Sequence, residues 1–172
     1  MTHAVCQAGG CMSAETTEFT NWLTPEQQQH WRRYLEGNAR LWDALARDLE
    51  SATQLSLSEY EILVRLSERD LRTMRMSELA QELAQSRSRI THTVRRLEGR
   101  GLVYRAHTPR DGRGVNCVMT RLGHDVLRRA APIHVASVRA RLIDVISDEE
   151  LAVLGAVFER LVQVVSDESH ED

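Results

Sequence analysis

Lysine is absent from this sequence: all 22 lysine-or-arginine positions are arginine. Aromatic residues make up only 5% of the 172 positions, and there are three prolines and three cysteines. Few aromatics and few prolines point to an α-rich protein. Three cysteines (Cys6, Cys11 and Cys117) cannot form a closed disulfide set, which fits a reducing compartment. No apolar run approaches the ~18 residues of a membrane span. The opening Met1–Cys6 lacks the basic flank and apolar core of a secretory signal. A cytoplasmic location without a membrane partner is therefore expected. No glycine-rich phosphate loop, nucleophile motif or His-Glu-x-x-His helix occurs, so the sequence predicts neither an enzyme nor a cofactor. The seven histidines, His3, His30, His92, His107, His124, His134 and His170, never fall at the i, i+3 or i, i+4 spacing of a helical metal site, and none is read as a ligand.

What is present is a globular composition, 42% hydrophobic and 27% charged, with enough length for one domain and its core. The net charge of −3 conceals an asymmetry. Between Arg72 and Arg121 stand eleven arginines and four acids (Glu78, Glu82, Glu98 and Asp111), a segment of +7. The remainder holds eleven arginines and 21 acids, or −10. Opposite-sign blocks in one small chain suggest that one region meets a polyanion.

Residues 1–23 carry no sustained apolar period and read as a flexible tail. Thr24-Pro25-Glu26-Gln27 is a helix start. Trp31, Tyr34, Leu35, Leu41, Trp42, Leu45 and Leu49 then recur at helical spacing to about Thr53. Ser58 is expected to cap a second helix and Ser77 a third. Ser86 or Ser88 caps a fourth, which carries Ile90, Val94 and Leu97 inward and stops at Gly101 in a left-handed conformation. Two strand-like runs, 102–106 and 115–119, flank a basic turn around Arg110 and Arg113. Thr120 caps a fifth helix reaching Val145, kinked at Pro132. Ser147 caps a last helix with Leu151, Leu154, Phe158, Leu161 and Val165 on one face.

The expected fold is mainly α, of α+β class: a winged helix-turn-helix lobe flanked by long N- and C-terminal dimerisation helices. The divisions are a tail (1–23), an N-terminal dimerisation helix (24–57), the winged helix-turn-helix (58–119), C-terminal dimerisation helices (120–166) and an acidic tail (167–172). The terminal helices carry more apolar stripe than one small chain can bury. A second copy would cover it, and two-fold dimers are the commonest oligomer.

A helix, a short turn, a second helix and a two-stranded wing can set that second helix in the DNA major groove. The fourth helix offers Arg87, Ser88, Arg89, Thr91, His92, Thr93, Arg95 and Arg96 on its polar face. Arginine makes bidentate contacts to guanine. Ser86, Arg87, Thr91, Thr93, Arg95 and Arg96 suit phosphate contacts, which fix register. Arg110 and Arg113 at the wing tip suit the negative minor groove.

Three strings carry a family resemblance: Arg75-Met-Ser-Glu-Leu-Ala; Ser86-Arg-Ser-Arg-Ile-Thr-His-Thr-Val-Arg-Arg-Leu-Glu-Gly-Arg-Gly-Leu-Val; and Asp111-Gly-Arg-Gly-Val-Asn-Cys-Val-Met-Thr-Arg-Leu-Gly. Over about residues 24–165 the chain resembles the MarR family of bacterial regulators. The Leu41-Trp-Asp and Leu57-Ser-Glu-Tyr-Glu-Ile-Leu segments resemble its actinobacterial branch. The resemblance implies a homodimeric repressor on a pseudo-palindromic double-stranded DNA operator, released by a small-molecule effector. It places Ser88, Arg89 and His92 as base readers, Arg113 in the minor groove and Asp111 as the acid orienting the wing. It further implies a small aromatic or phenolic effector in a crevice beside the dimerisation helices, for which Trp31, Tyr34, Trp42, Tyr60 and His134 are the candidates. For those aromatic residues, packing in the core is the competing reading. His92 departs from the family's usual arginine, and Gln54 stands where a helix-ending glycine is usual. Two alternatives remain beside this reading: a winged helix that binds protein and not DNA, and a sensing regulator, responding to oxidants through Cys6 and Cys11 or to a metal. Cys117 is expected to pack within the wing.

Overall fold

The computed structural model describes residues 21–108 and 111–168, with the side chains of 108, 111–113 and 166–168 outside the description. The chain divides into two units, Met1–Ala39 and Arg40–Asp172. Apart from one added strand, β1, the elements follow the expected order: α1 (Pro25–Thr53), α2 (Leu57–Ser67), β1 (Thr73–Arg75), α3 (Met76–Glu82), α4 (Arg87–Gly99), β2 (Val103–Thr108), β3 (Asp111–Met119), α5 (Arg121–Val138) and α6 (Asp148–Glu168). The mainly helical class and the winged lobe are as the sequence predicts.

Local chemistry sets most boundaries. The Thr24 hydroxyl accepts from the Gln27 amide at 3.2 Å and the Gln27 side chain accepts from the Thr24 amide at 2.9 Å. This reciprocal pair satisfies two of the donors that a helix start leaves open. Ser147 and Glu150 repeat the device at α6. Thr120 caps α5 by accepting from Gly123 at 3.0 Å. At Gly123 a Cβ would collide with the carbonyl oxygen of Leu102, so only glycine lets the start of α5 lie so close to the sheet. Gly101 ends α4 at φ 69°, as predicted.

Two helix starts differ from expectation. The cap of α2 is Ser56, not Ser58: its hydroxyl accepts from Glu59 and the Glu59 carboxylate accepts from the Ser56 amide. Ser56 has the extended backbone that a cap requires, whereas Ser58 already lies in the helix. The cap position of α3 is Arg75, one residue ahead of the helix, and the Glu78 carboxylate takes its amide at 3.2 Å; Ser77 lies inside. Pro132 lies within α5 and the helix continues past it to Val138. The α-helix ends short of the expected Val145, and a π-helical turn follows at Arg139–Ile143. That turn is tied to α1, because Asp48 accepts from Ser137 at 2.7 Å and pairs with Arg141 at 2.8 Å.

The sheet is antiparallel in the order β1-β3-β2. Met74 faces Cys117 across β1 and β3, and Arg105 faces Cys117 across β2 and β3. The short β1 was not foreseen. It follows Leu71 and Arg72, both in left-handed backbone at φ 56° and 52°, a conformation for which neither residue type gives a signal.

One core joins the lobe. Leu49, Leu55, Ile62, Leu63, Leu66, Leu79, Ile90, Val94, Leu97, Val103 and Cys117 are each at most 2% exposed. Removing such side chains from water, at roughly 25 cal/mol per Å², is what holds α4 against α2, α3 and the sheet. By contrast, α6 fully buries none of its residues 148–165, those whose side chains are described: Val153, Leu161, Val162 and Val164 are all exposed.

Candidate nucleic-acid interface

Helix α4 begins at Ser86, whose hydroxyl accepts from the Arg89 amide at 3.2 Å. Its buried side is Ile90, Val94 and Leu97. Packing on that side turns Arg87, Ser88, Arg89, His92, Arg95 and Arg96 outward, and all six are exposed. Thr91 is half-buried and donates to the Arg87 carbonyl at 2.8 Å.

Thr93 is a correction to the expected polar face. It is buried, and its hydroxyl donates to the Arg89 carbonyl at 3.0 Å. A threonine satisfied by its own helix behaves as a small apolar residue and packs. A phosphate contact at Thr93 is therefore not compatible with its position.

The helix contains one acid. Glu98 accepts from the Arg105 amide at 3.2 Å and from its guanidinium at 3.0 and 2.7 Å. The Arg105 hydrogen bonds hold the Glu98 carboxyl below the usual carboxylate range. The negative charge is thus matched by strand β2, which is also how the wing is fixed to the end of α4. A second cluster of positive charge lies at the junction of β1, α3, α4 and β3, where Arg75, Ser77, Arg87 and Thr91 line a cavity of about 340 Å³. Arg75 and Ser77 were not among the predicted contacts; the +7 segment contains Arg75 but gives no signal that it lies beside Arg87.

At the wing, Arg110 lies outside the described residues. Asp111 and Arg113 belong to the backbone of β3, and their side chains lie outside the description. Cys6 and Cys11 also lie outside it. Cys117 is fully buried and burial pushes its thiol up to about 12, as expected for a packed cysteine. Among the described residues no cluster of histidine, cysteine and acid suits a metal ion, and no helix is long and apolar enough to cross a membrane.

The effector candidates fall into two groups. Trp31 and Tyr34 stack on one another in the N-terminal unit, with ring centroids 5.5 Å apart. Trp42, Tyr60 and His134 line a cavity of about 270 Å³ together with Leu57, Glu61, Val64, Arg65 and Leu83. The Tyr60 and His134 rings lie 4.7 Å apart. Burial holds His134 below the ordinary histidine range and raises Tyr60 above its own. Glu61 is likewise raised by burial, an effect opposed by the charges of Arg65 and Arg89. A cavity wall thus lies within electrostatic reach of an expected base reader.

A family model described as the MarR family matches residues 55–115. The structure is similar to that of AbsC, a MarR family transcriptional regulator from Streptomyces coelicolor, with a TM-score of 0.82 and 40% identity over 86% of this chain and 99% of that one. It is equally similar to Sco3205, a MarR family regulator from the same organism solved in complex with DNA: TM-score 0.82 and 39% identity, over 84% of this chain and 90% of that one. The chain belongs to the MarR family. Sco5413, another MarR regulator of S. coelicolor, shares the fold at a TM-score of 0.72 and 21% identity, covering 84% of this chain and 98% of that one. A comparison with curated proteins gives no match. The MarR membership accounts for the winged lobe and agrees with the resemblance carried by the three sequence strings.

Proposed function

We propose that this MarR-family chain is a homodimeric, DNA-binding transcriptional repressor released by a small aromatic effector. The observation that carries the reading is the exposed side of α4. Arg87, Arg89, His92 and Arg95 are turned outward, and the helix's one acid is already held by Arg105. Sco3205, similar over most of the chain, was solved on DNA. Ser88, Arg89 and His92 read base edges, while Ser86, Arg87, Thr91 and Arg95 hold phosphates. Arg110 and Arg113 enter the minor groove, with Asp111 orienting the wing.

The exposed Leu154 and Leu161 of α6 support a second copy as partner, with segments 24–57 and 120–166 forming the interface around the 58–119 lobe. Two-fold pairing of the lobes gives a pseudo-palindromic site with half-sites about one helical turn, ~10 bp, apart. The cavity at Trp42, Tyr60 and His134 suits one small planar ligand, and its occupancy would shift the dimer between two spacings of α4. Such a protein acts in the cytoplasm.

Selection from a random duplex library tests the reading. It should yield an inverted repeat, bound by two subunits per duplex in sedimentation. Selection that enriches no sequence would remove the DNA-reading role and leave a winged helix that contacts protein.

A further inference from the structure

The cap of α2 contains a feature that capping does not require. Glu59 is 0% exposed, whereas Glu150, in the same cap role at α6, is exposed. A carboxylate in a protein interior is costly unless cations and donors surround it. Two arginines of the α4 end meet it. Arg96 Nε lies 3.3 Å from Glu59 Oε1, an ionic contact without hydrogen-bond alignment. Arg100 Nη1 lies 3.5 Å from Oε2, which also accepts from the Ser56 amide at 2.9 Å. Arg100 donates in addition to the Gln54 carbonyl at 2.9 Å. Gln54 has φ 59°, so this bond holds the strained residue that closes α1.

We infer that Glu59 is a positioning residue for DNA recognition: it fixes α4 through Arg96 and Arg100 and diverts Arg96 from the DNA backbone. Arg96 follows Arg89 by seven residues, about two helical turns, so the two lie on nearly the same side of α4. Fixing the guanidinium of one fixes the rotation that aims the other. Position also ties this pin to the effector cavity, because Tyr60 and Glu61, the next two residues of α2, line it. A shift of α2 therefore reaches α4 through a charged contact as well as through packing. The expectation that Arg96 holds phosphate is replaced by a structural partner inside the protein.

The inference rests on the DNA-binding reading, and one experiment separates the two. The full-length protein is titrated with a library-selected duplex and with a scrambled duplex of the same composition, over a range of salt. Glu59→Gln keeps the shape and the cap but removes the charge. It should lower the selected-to-scrambled affinity ratio by about tenfold and steepen the salt dependence by roughly one phosphate per subunit, as Arg96 becomes available to the backbone. Arg96→Gln, whose side chain is half exposed, should lower the ratio and leave the salt slope unchanged, with its fold checked by circular dichroism. If Arg96→Gln instead reduces the slope by about one per subunit and preserves the ratio, Arg96 is a phosphate contact and the inference fails. Parallel weakening on both duplexes with an unchanged slope for Glu59→Gln would make Glu59 merely structural and also overturn it. Wild-type protein that binds neither duplex would contradict the DNA-binding reading itself.

Discussion

Helices α4 and α6 are both amphipathic, and their apolar sides meet opposite fates. In α4, Ile90, Val94 and Leu97 are fully buried within the chain. What α4 leaves outside is charge. On the apolar side of α6, Leu154 and Leu161 are 36% and 49% exposed. What α6 leaves outside is the surface that water disfavours most. The difference separates two kinds of unfinished surface. A basic face is stable in solvent and gains a partner only when a polyanion arrives. An apolar face of this extent points to a permanent partner, for which a second copy is the proposed occupant.

The contrast can be broken from either side. The largest effect is expected on the α4 side. Leu97→Ala should cost about 2–5 kcal/mol of stability, read as a lower denaturation midpoint, and weaken DNA binding along with it. Leu161→Glu in α6 should do the reverse. It should leave the lobe's secondary structure intact by circular dichroism but raise the dimer dissociation constant by at least about tenfold in sedimentation. If Leu161→Glu remains fully dimeric, the α6 face is not the interface.

Within α4 the basic face itself can be divided. Arg89→Ala should cost about 1–3 kcal/mol on the preferred duplex and relax the preference at one base position. Arg95→Ala should weaken all duplexes about equally. An unchanged base preference in the Arg89 variant would show that another side chain reads that position.

The smallest effect concerns the cavity. The folded-state value of His134 lies below the ordinary 6.5, because burial disfavours its charged form. The unfolded chain therefore binds this proton more readily than the folded one. Its contribution to stability is intact above 6.5 and is lost as pH falls from there through the depressed value. Wild type should lose more stability than His134→Gln between about pH 7.5 and about pH 5. Equal losses would mean that the ring is solvated.

Most of this architecture was legible because it depends on local chemistry. Thr24, Ser86, Thr120 and Ser147 cap where their neighbours in sequence allow, and Gly101 stops α4 where a left-handed residue is needed. The Ser56-x-x-Glu59 pair was equally readable as a capping box, and the competing Ser58 masked it. The remaining differences arise from tertiary structure. Burial of Thr93 depends on which side of α4 meets the core. The β1 strand exists because β3 offers it an edge, after two non-glycine residues in left-handed backbone. The joining of Glu59 to Arg96 and Arg100 spans 37 and 41 positions, and no local pattern announces it. For the site, the charge count located the basic lobe but did not show that Glu98 is neutralised by Arg105, or that Arg75 lies beside Arg87. The signal-responsive part was the least legible, because Trp42, Tyr60 and His134 meet only when α1, α2 and α5 pack.

The central claim is that α4 presents its arginines to the DNA backbone and bases. The most direct measurement is the affinity for a library-selected duplex as a function of salt concentration. The account predicts a steep, linear fall of log affinity with log salt, close to one unit of slope for each phosphate neutralised, and a shallower slope in Arg95→Ala. Binding that is absent, or that does not respond to salt, would contradict it.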